Sequence, residues 1–367
     1  MRKKNLFFSL LGLLTLLMSF TSCSNEDDSW NDIGSVVELP RTRAFVLNSG
    51  SYNGNNSGLA FYAPNKNADF ISNIYLKQNK KELGDTGQSM IEEDGYMYIL
   101  AYGSKRLVKL NSAGVEIGSL SFSNLDGGPR DLVYVDGKLY VTLYSGKVAR
   151  INAETLVLED YVAVGLAPEN IVTVNGKLYV AICGWTSDHK IYDKKVVEVD
   201  IKTFKVSKEI EVTVNPNQLK VLNGNLFLIS WGNWGDIGYD LQKIDLKNKT
   251  YAVTHLGVAT KMTAYGKSLY LVNSVTDWVA KKTVNTFFSY DDSTGKIIDS
   301  SFLKNAPEKL ASESVYMMEV NPNNGEIYIG VSNYQANGDI YRFDASGQFI
   351  EKFDCGGLNP MDMAFFN

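Results

Sequence analysis

Aromatic residues recur in short polar stretches that each follow a strand-like sequence. The stretch SWGNWGD at residues 230–236 places Trp231 and Trp234 among glycines, directly after NGNLFLI. Comparable stretches elsewhere contribute Tyr52, Tyr102, Tyr144, Trp185, Trp278 and Tyr334. Aromatic rings stack on flat or ring-bearing ligands, and rings exposed together on one face mark a binding surface. These residues are therefore candidate ligand-binding residues, provided that the fold gathers them.

A second candidate set consists of polar residues at the starts of predicted strands: Gln88, Arg130, Asn170, Gln218 and Lys261. Such side chains would orient a ligand by hydrogen bonds, while the rings bury its apolar surface. The alternative is that the polar residues are merely solvated or stabilise turns, and that each ring caps its own strand pair.

Motifs for catalysis are scarce in the sequence. The chain has two histidines, His189 and His255, and it lacks the GxSxG, HExxH and phosphate-binding loop patterns. Asp131 and Glu169 are possible members of an acidic metal cluster, but the other inner-strand starts offer Gln, Lys and Met. We therefore expect a binding protein without catalytic residues, metal or cofactor. A metal-dependent lactonase or a quinoprotein-like enzyme remains an alternative.

The elements that must position these residues are short strands in a repeating pattern. A glycine turn followed by an alternating aromatic and β-branched strand occurs in EDGYMYILA (93–101), VDGKLYVTL (135–143), VNGKLYVAI (174–182), LNGNLFLIS (222–230), AYGKSLYLV (264–272) and NNGEIYIGV (323–331). The spacing of about 40 to 55 residues with four short strands per repeat is typical of a β-propeller.

The repeats predict an all-β, seven-bladed propeller over residues 42–367, with four-stranded blades. Strands are labelled a to d from the central channel outward. Six full repeats start near residues 88, 130, 168, 216, 259 and 315, and RAFVLN, GLAFYA and DFISNIYL supply strands b, c and d of one more blade. The C-terminal MDMAFF would supply its strand a and close the ring. In this fold the b–c loops share one face, so the candidate rings should meet there.

The N-terminus predicts export and lipidation. Residues 1–22 combine Arg2, Lys3 and Lys4 with an apolar stretch, as a signal peptide does. Cys23 would be the lipidated residue, and residues 23–41, which begin with an acidic run, would be a tether. The expected location is the outer membrane, facing the cell exterior, with membrane contact only through the lipid. The net charge of −5 argues against nucleic acid as a partner.

The sequence also resembles a known group of proteins. The stretches LGDTGQSMIEEDGYMYIL (83–100) and VNPNNGEIYIGVSNYQANGDIYRFDASGQFIEKF (320–353) resemble the YVTN-like, DUF5074-like surface propeller lipoproteins of Bacteroides-type bacteria. Within that group the chain is similar to the surface lipoproteins that capture cobalamin. The resemblance implies a non-enzymatic protein that binds a corrinoid and delivers it to a TonB-dependent outer-membrane transporter. A glycan-binding propeller is the alternative, because tryptophan and tyrosine rings also stack on sugars.

Overall fold

The computed structural model describes residues 30–64, 69–125, 127–247, 250–277 and 279–366. Within them, seven four-stranded antiparallel sheets form the blades of a propeller, as the repeats predict. The last strand of the chain pairs with the first, Phe45 opposite Ala364, and so supplies strand a of blade 1. This pairing covers the inner edge of β1 and closes the ring.

The first four blades follow one another in chain order. Blade 1 contains β1 (Arg43–Asn48), β2 (Gly58–Tyr62) and β3 (Phe70–Ile71), followed by the helix α1 (Ile74–Asn79). Blade 2 contains β4 (Gly87–Glu93), β5 (Tyr96–Ala101), β6 (Arg106–Asn111) and β7 (Glu116–Ser121). Blade 3 contains β8 (Pro129–Val135), β9 (Lys138–Leu143), β10 (Lys147–Asn152) and β11 (Leu158–Ala163). Blade 4 contains β12 (Pro168–Val174), β13 (Lys177–Ile182), β14 (Lys195–Asp200) and β15 (Lys205–Glu211).

The remaining strands continue the same pattern. Blade 5 contains β16 (Pro216–Leu222), β17 (Asn225–Ser230), β18 (Asp240–Ile244) and β19 (Val253–Gly257). Blade 6 contains β20 (Lys261–Tyr265), β21 (Ser268–Asp277), β22 (Lys282–Asp291) and β23 (Lys296–Ile298). Blade 7 contains β24 (Ser314–Val320), β25 (Ile327–Ser332), β26 (Asp339–Phe343) and β27 (Phe349–Asp354), and β28 (Pro360–Phe366) returns to blade 1. Two short 3₁₀ turns span Ser123–Leu125 and Glu308–Ser312.

Tight turns set the register between strands a and b. In blade 3, Asp136 and Gly137 have φ values of +48° and +75°, and Asn175 and Gly176 of blade 4 have +52° and +72°. Two consecutive residues with positive φ form the turn that matches the natural twist of a two-residue hairpin, which explains the preference for Asp-Gly and Asn-Gly at these positions.

The aromatic residues of strand b pack between blades, as predicted. Tyr98, Tyr140, Tyr179, Phe227 and Tyr328 are buried, and the ring of the partly buried Tyr270 lies 4.8 Å from that of Phe302. Separate apolar clusters fill the spaces between neighbouring blades. The scaffold that carries the loops is therefore a continuous packed ring.

One predicted strand is wrong in part. DFISNIYL contributes only the two-residue β3 to blade 1, and the chain then turns into α1. Asn73 caps this helix, because its side-chain oxygen accepts a hydrogen bond from Leu76 N at 3.1 Å. The cap and the burial of Ile74 and Tyr75 outweigh the strand propensity of this segment.

Residues 30–41, expected to belong to the tether, lie against the propeller. The Trp30 ring meets Phe366 edge-on at 5.2 Å, and its indole N–H donates to Arg41 O at 3.0 Å. Asp32 forms an ion pair with the buried Arg43 at 2.8 Å. Cys23 and residues 1–22 lie outside the described residues. In the described part of the chain, no helix has the length and apolar character that a membrane span requires.

Candidate functional site

The b–c loops and the connections before the inner strands lie on one face, which we call the mouth. Tyr102 N donates to Thr86 O, Tyr144 N to Gly128 O, and Trp231 N to Asn215 O, all at 2.8–2.9 Å. Each bond ties a b–c loop to the residues just before an inner strand. The mouth opens into a central channel of about 550 Å³, whose walls are the seven inner strands.

Bulges add to the side chains that face this channel. In six of the seven blades, the inner strand carries an extra residue near its start. An extra residue turns two consecutive side chains to the same side of a sheet. The outer set, nearer the mouth, comprises Gln88, Arg130, Glu169, Asn217, Tyr316 and Met361; the inner set comprises Ser89, Asp131, Asn170, Gln218, Met317 and Asp362. Lys261 lines the same channel from blade 6.

Arg130 is the centre of a polar network in the outer set. Its guanidinium donates to Glu169 Oε2 at 2.7 Å and to Gln88 Oε1 at 2.9 Å. It also lies 5.1 Å from the ring of Tyr102 and 5.5 Å from the ring of Tyr144. Two candidate rings and two candidate polar residues therefore meet at one place. Because Arg130 contacts both rings, their faces are already partly covered.

In the inner set, side chains join neighbouring blades. Asn170 hydrogen-bonds Asp131 in blade 3, and its own Oδ1 accepts from Leu219 N of blade 5 at 2.7 Å. Asp362 Oδ2 in the same way accepts from Met90 N of blade 2 at 2.8 Å. The predicted residue Asn170 thus lines the channel, but its hydrogen bonds hold the ring of blades together.

Gln218 and Lys261 lie on the side of the channel formed by blades 5 and 6. Gln218 Nε2 donates to Thr260 O at 3.0 Å, and Gln218 lines the channel. Lys261 Nζ lies 5.9 Å from the Tyr316 ring. Burial lowers the pKa of Lys261 to about 8, only partly offset by Glu319. This amine is therefore less fully charged near neutral pH than an exposed lysine.

Further carboxylates and a lysine lie deeper in the channel. Lys220 Nζ lies 3.6 Å from Glu319. Burial raises the pKa of Asp131 to about 6 and that of Asp362 to about 8, the latter with a further contribution from the nearby Glu319. Burial also raises the pKa of Glu169, against the opposing effect of Arg130. Among the described residues, no three His, Cys, Asp or Glu side chains are placed to hold a metal ion.

On one side of the mouth, rings from blades 2, 3 and 4 adjoin. Tyr102 and Tyr144 pack edge to face at 6.0 Å, and the Tyr144 hydroxyl donates to Trp185 O at 2.9 Å. The Trp185 ring, 38% exposed, stacks near Tyr192 at 6.5 Å. This part of the mouth is a run of contacting rings that ends in an accessible indole.

On the other side of the mouth, blade 5 carries its own cluster. The Trp231 ring packs 6.3 Å from Trp234 and 6.4 Å from Tyr239. Trp231 is partly buried and reaches the channel wall, whereas Trp234 is 65% exposed. The two tryptophans of SWGNWGD therefore differ in role: Trp231 supports the loop, and Trp234 offers its ring to solvent.

The remaining predicted rings are more widely spread. Tyr52 in blade 1 is 69% exposed, and Tyr334 in blade 7 is 52% exposed with its ring 6.0 Å from Tyr316. Trp278 lies outside the described residues. Four exposed rings, Tyr52, Trp185, Trp234 and Tyr334, thus come from four different blades on the same face.

Several lining residues were missed by sequence reasoning. Tyr316, Glu319 and Asp362 face the channel, and Tyr192 and Tyr239 belong to the ring clusters of the mouth. The bulges are the reason for the first three, because strict alternation along an inner strand would turn every second residue away from the channel. Tyr239 directly precedes strand c of blade 5, and Tyr192 lies three residues before strand c of blade 4, so both belong to the b–c loops that the repeat predicts.

Comparison with solved structures shows the fold class. The chain is similar to a hypothetical selenium-binding protein from Sulfolobus tokodaii (11% identity over 89% of this chain and 94% of that one, TM-score 0.66). It is also similar to the hydrazine synthase of Kuenenia stuttgartiensis (14% identity, 70% and 76% coverage, TM-score 0.55) and to a protein of unknown function from Bacteroides caccae (9% identity, 89% and 100% coverage, TM-score 0.50). At these identities the likeness concerns the fold alone. No curated protein matches the sequence.

The family model described as "Domain of unknown function (DUF5074)" matches residues 43–366. These bounds coincide with the propeller, from its first strand to its last. The chain therefore belongs to the DUF5074 family.

Proposed function

We propose that this protein is a cell-surface binding protein that captures a corrinoid, such as cobalamin, and releases it unchanged to a TonB-dependent outer-membrane transporter. The observation that carries the proposal is the set of four exposed rings, Tyr52, Trp185, Trp234 and Tyr334, around the mouth of a polar channel. Exposed aromatic side chains gathered on one face are costly to keep in water and are typical of binding surfaces.

The chemistry of a corrinoid suits this arrangement. A corrin macrocycle is broad and partly apolar, and amide side chains project from its edge. Rings distributed around the mouth can cover the macrocycle, while Gln88, Gln218 and Asn217 offer amide groups to its edge. The channel restricts how the corrinoid can be oriented, because polar groups on its wall are held in place by the network around Arg130.

The backbone at two of the exposed rings has an uncommon conformation. Trp234 has φ +58° and Tyr334 has φ +61°, a left-handed conformation that bulky residues seldom adopt. Holding a non-glycine residue there costs on the order of 1–2 kcal/mol. Leu156 and Phe204, which lie away from the mouth, have the same conformation, so the proposal rests on the exposure of the rings and not on this strain.

The cellular part of the proposal is supported by the sequence. Residues 1–22 have the features of a signal peptide, and Cys23 follows small residues as a lipidated cysteine does. The resemblance to cobalamin-capturing surface lipoproteins supports delivery to a transporter.

Binding is tested with purified protein and cyanocobalamin by isothermal titration calorimetry, together with retention of the coloured ligand on size-exclusion chromatography. We expect saturable binding at micromolar or lower concentration. Trp234→Ala should weaken it at least tenfold. The control is Tyr161→Ala, since Tyr161 is 50% exposed on an outer strand away from the mouth. Absence of heat and of retained colour would contradict the proposed ligand.

Delivery is tested in the host bacterium. Deletion of the gene should slow uptake of radiolabelled cyanocobalamin at limiting concentration, and the wild-type gene should restore it. A strain carrying Cys23→Ala should behave like the deletion if lipid anchoring is required. Unchanged uptake in the deletion strain would contradict the transport role while leaving binding to be judged from the calorimetry.

A further inference from the structure

A second cavity lies beside the channel, between blades 6 and 7. Strands β21 and β22 are ten residues long, whereas the second strands of blades 2, 3, 4, 5 and 7 have six, so their hairpin extends beyond the blade at the mouth. Together with the Glu308–Ser312 turn and the 333–338 loop, this hairpin encloses about 640 Å³. The contact between Tyr316 and Tyr334 lies between the cavity and the channel.

The lining of this cavity differs from that of the mouth. It carries the hydroxyls of Thr276, Thr283 and Ser314 and the amides of Asn333 and Gln335. Val331 and Tyr334 are its two large apolar or aromatic residues among those described. A cavity lined mainly by hydroxyl and amide groups, with one exposed ring, favours a polar ligand over an apolar one.

The charges on the cavity wall are balanced. Glu313 is paired with Lys309 at 2.7 Å and accepts a hydrogen bond from the Tyr341 hydroxyl at 2.6 Å. Asp339 is paired with Lys352 at 2.6 Å. The cavity is lined by two lysines, Lys281 and Lys309, and by these two carboxylates, so its lining has no net charge that would favour an ionic ligand.

The polar groups are also held in place before any ligand arrives. Asn333 Oδ1 accepts from the backbone N–H groups of Gln335 and Ala336 at 3.0 and 2.9 Å, which fixes the loop around Tyr334. The Tyr334 hydroxyl lies 3.1 Å from Ser314 Oγ, and this contact holds the end of the side chain in place. A site that is ordered beforehand loses less conformational entropy on binding.

We propose that this cavity is a binding site for a neutral oligosaccharide, with the Tyr334 ring as the stacking platform. Sugars present hydroxyl groups that pair with amides, hydroxyls and carboxylates, and their C–H faces pack on an aromatic ring. The cavity offers these groups without net charge. The site shares Tyr334 with the mouth but is otherwise lined by different residues, and it goes beyond the function proposed above because it takes a different class of ligand.

The test begins with the purified protein on an array of neutral oligosaccharides of glucose, mannose, xylose and N-acetylglucosamine, with sulfated and sialylated glycans alongside. The best neutral binder is then titrated by calorimetry against variants of the cavity. Tyr334→Ala should weaken binding at least tenfold, and Gln335→Ala about three- to tenfold. Tyr334→Phe, which keeps the ring, should stay within about threefold.

The controls are Tyr52→Ala and Trp234→Ala, which remove exposed rings elsewhere on the mouth. Both should leave sugar affinity within twofold, and thermal unfolding of every variant checks that it is folded. Binding of charged glycans alone, no retained neutral oligosaccharide at millimolar concentration, or an equal loss in Tyr52→Ala and Trp234→Ala would overturn the proposal. An equal loss of affinity in these two variants would mean that the sugar binds across the whole mouth and not in this cavity.

Discussion

Trp234 and Tyr334 lie in the b–c loops of blades 5 and 7, each in the left-handed conformation and each directly after an asparagine. The side-chain oxygen of Asn233 accepts from Gly235 N and Ile237 N, both at 3.0 Å, as Asn333 does in its own loop. The same local device therefore presents two exposed rings from different blades. Its recurrence ties the strained backbone to the placement of the ring.

Replacing Trp234 by glycine should separate binding from stability. Glycine adopts positive φ without strain, although it increases the entropy of the unfolded chain. We expect the free energy of unfolding to change by less than about 1 kcal/mol, while corrinoid affinity falls at least tenfold. Urea denaturation and calorimetry measure the two quantities. In contrast, Trp231→Ala should lower the free energy of unfolding by about 2–3 kcal/mol, because that ring packs in the core between blades 5 and 6. Equal destabilisation by both variants would contradict the distinction.

Replacing Arg130 by methionine should destabilise the ring of blades. The substitution leaves the Glu169 carboxylate, 10% exposed, without its cationic partner. The expected loss at pH 7 is roughly 3 kcal/mol in the free energy of unfolding, measured in urea. Burial raises the pKa of Glu169 even with Arg130 present, so protonation at lower pH should neutralise the orphaned group and shrink the loss at pH 5.

The double variant Arg130→Met with Glu169→Gln is the matched control for that experiment. It removes both charges, so its stability should lie closer to that of the wild type than the single variant does. If the single and double variants are equally unstable at pH 7, the buried charge is not the cause.

The stabilising contributions of Asp131 and Asp362 should fall as pH rises from about 4 to 8. Burial, with Glu319 nearby, raises the pKa of Asp362 to about 8, and burial raises that of Asp131 to about 6. A carboxyl with a raised pKa binds more protons in the folded than in the unfolded state over this range, so its contribution is present at low pH and is lost as it ionises. Asp362→Asn keeps an oxygen that can accept from Met90 N and should flatten the profile. Urea denaturation at several pH values measures the slope, and an unchanged slope in the variant would contradict the assignment.

Replacing Trp30 by alanine should loosen the closure of the propeller. Trp30 packs on Phe366 at the end of β28, the strand that pairs both chain ends. We expect a loss of about 2 kcal/mol in the free energy of unfolding and a lower Tm by differential scanning calorimetry. Trp30→Phe, which keeps a ring, should retain about half of the contribution. A Tm equal to that of the wild type in both variants would show that residues 30–41 add nothing to closure.

The fold was predictable because its signals are local and repeated. The glycine turns before Tyr98, Tyr140 and Tyr179 mark the same hairpin in successive blades. The alternation of side chains then predicts the remaining strands of each blade. The one error, α1, arises because Asn73 is a helix cap as well as a turn residue, and only the packing of Ile74 and Tyr75 decides between these roles.

The candidate site was predictable only in outline. The loops and their face follow from the repeat, so the positions of Trp234 and Tyr334 could be expected. The channel wall depends on bulges, which shift the pattern by one residue and bring in Tyr316 and Asp362. No periodicity in the sequence reports such a shift, because the extra residue breaks the alternation on which prediction relies.

Each inner strand begins at the mouth, so β28 ends on the opposite face of the propeller. Trp30 packs against that end. The earliest described residue and the end of the last strand therefore both lie on the face opposite the mouth. A protein attached to the membrane through its N-terminus would therefore have its mouth facing away from the membrane, toward the medium. Transfer of a ligand to a partner in the membrane would then require the propeller to tilt, or the partner to extend as far as the mouth.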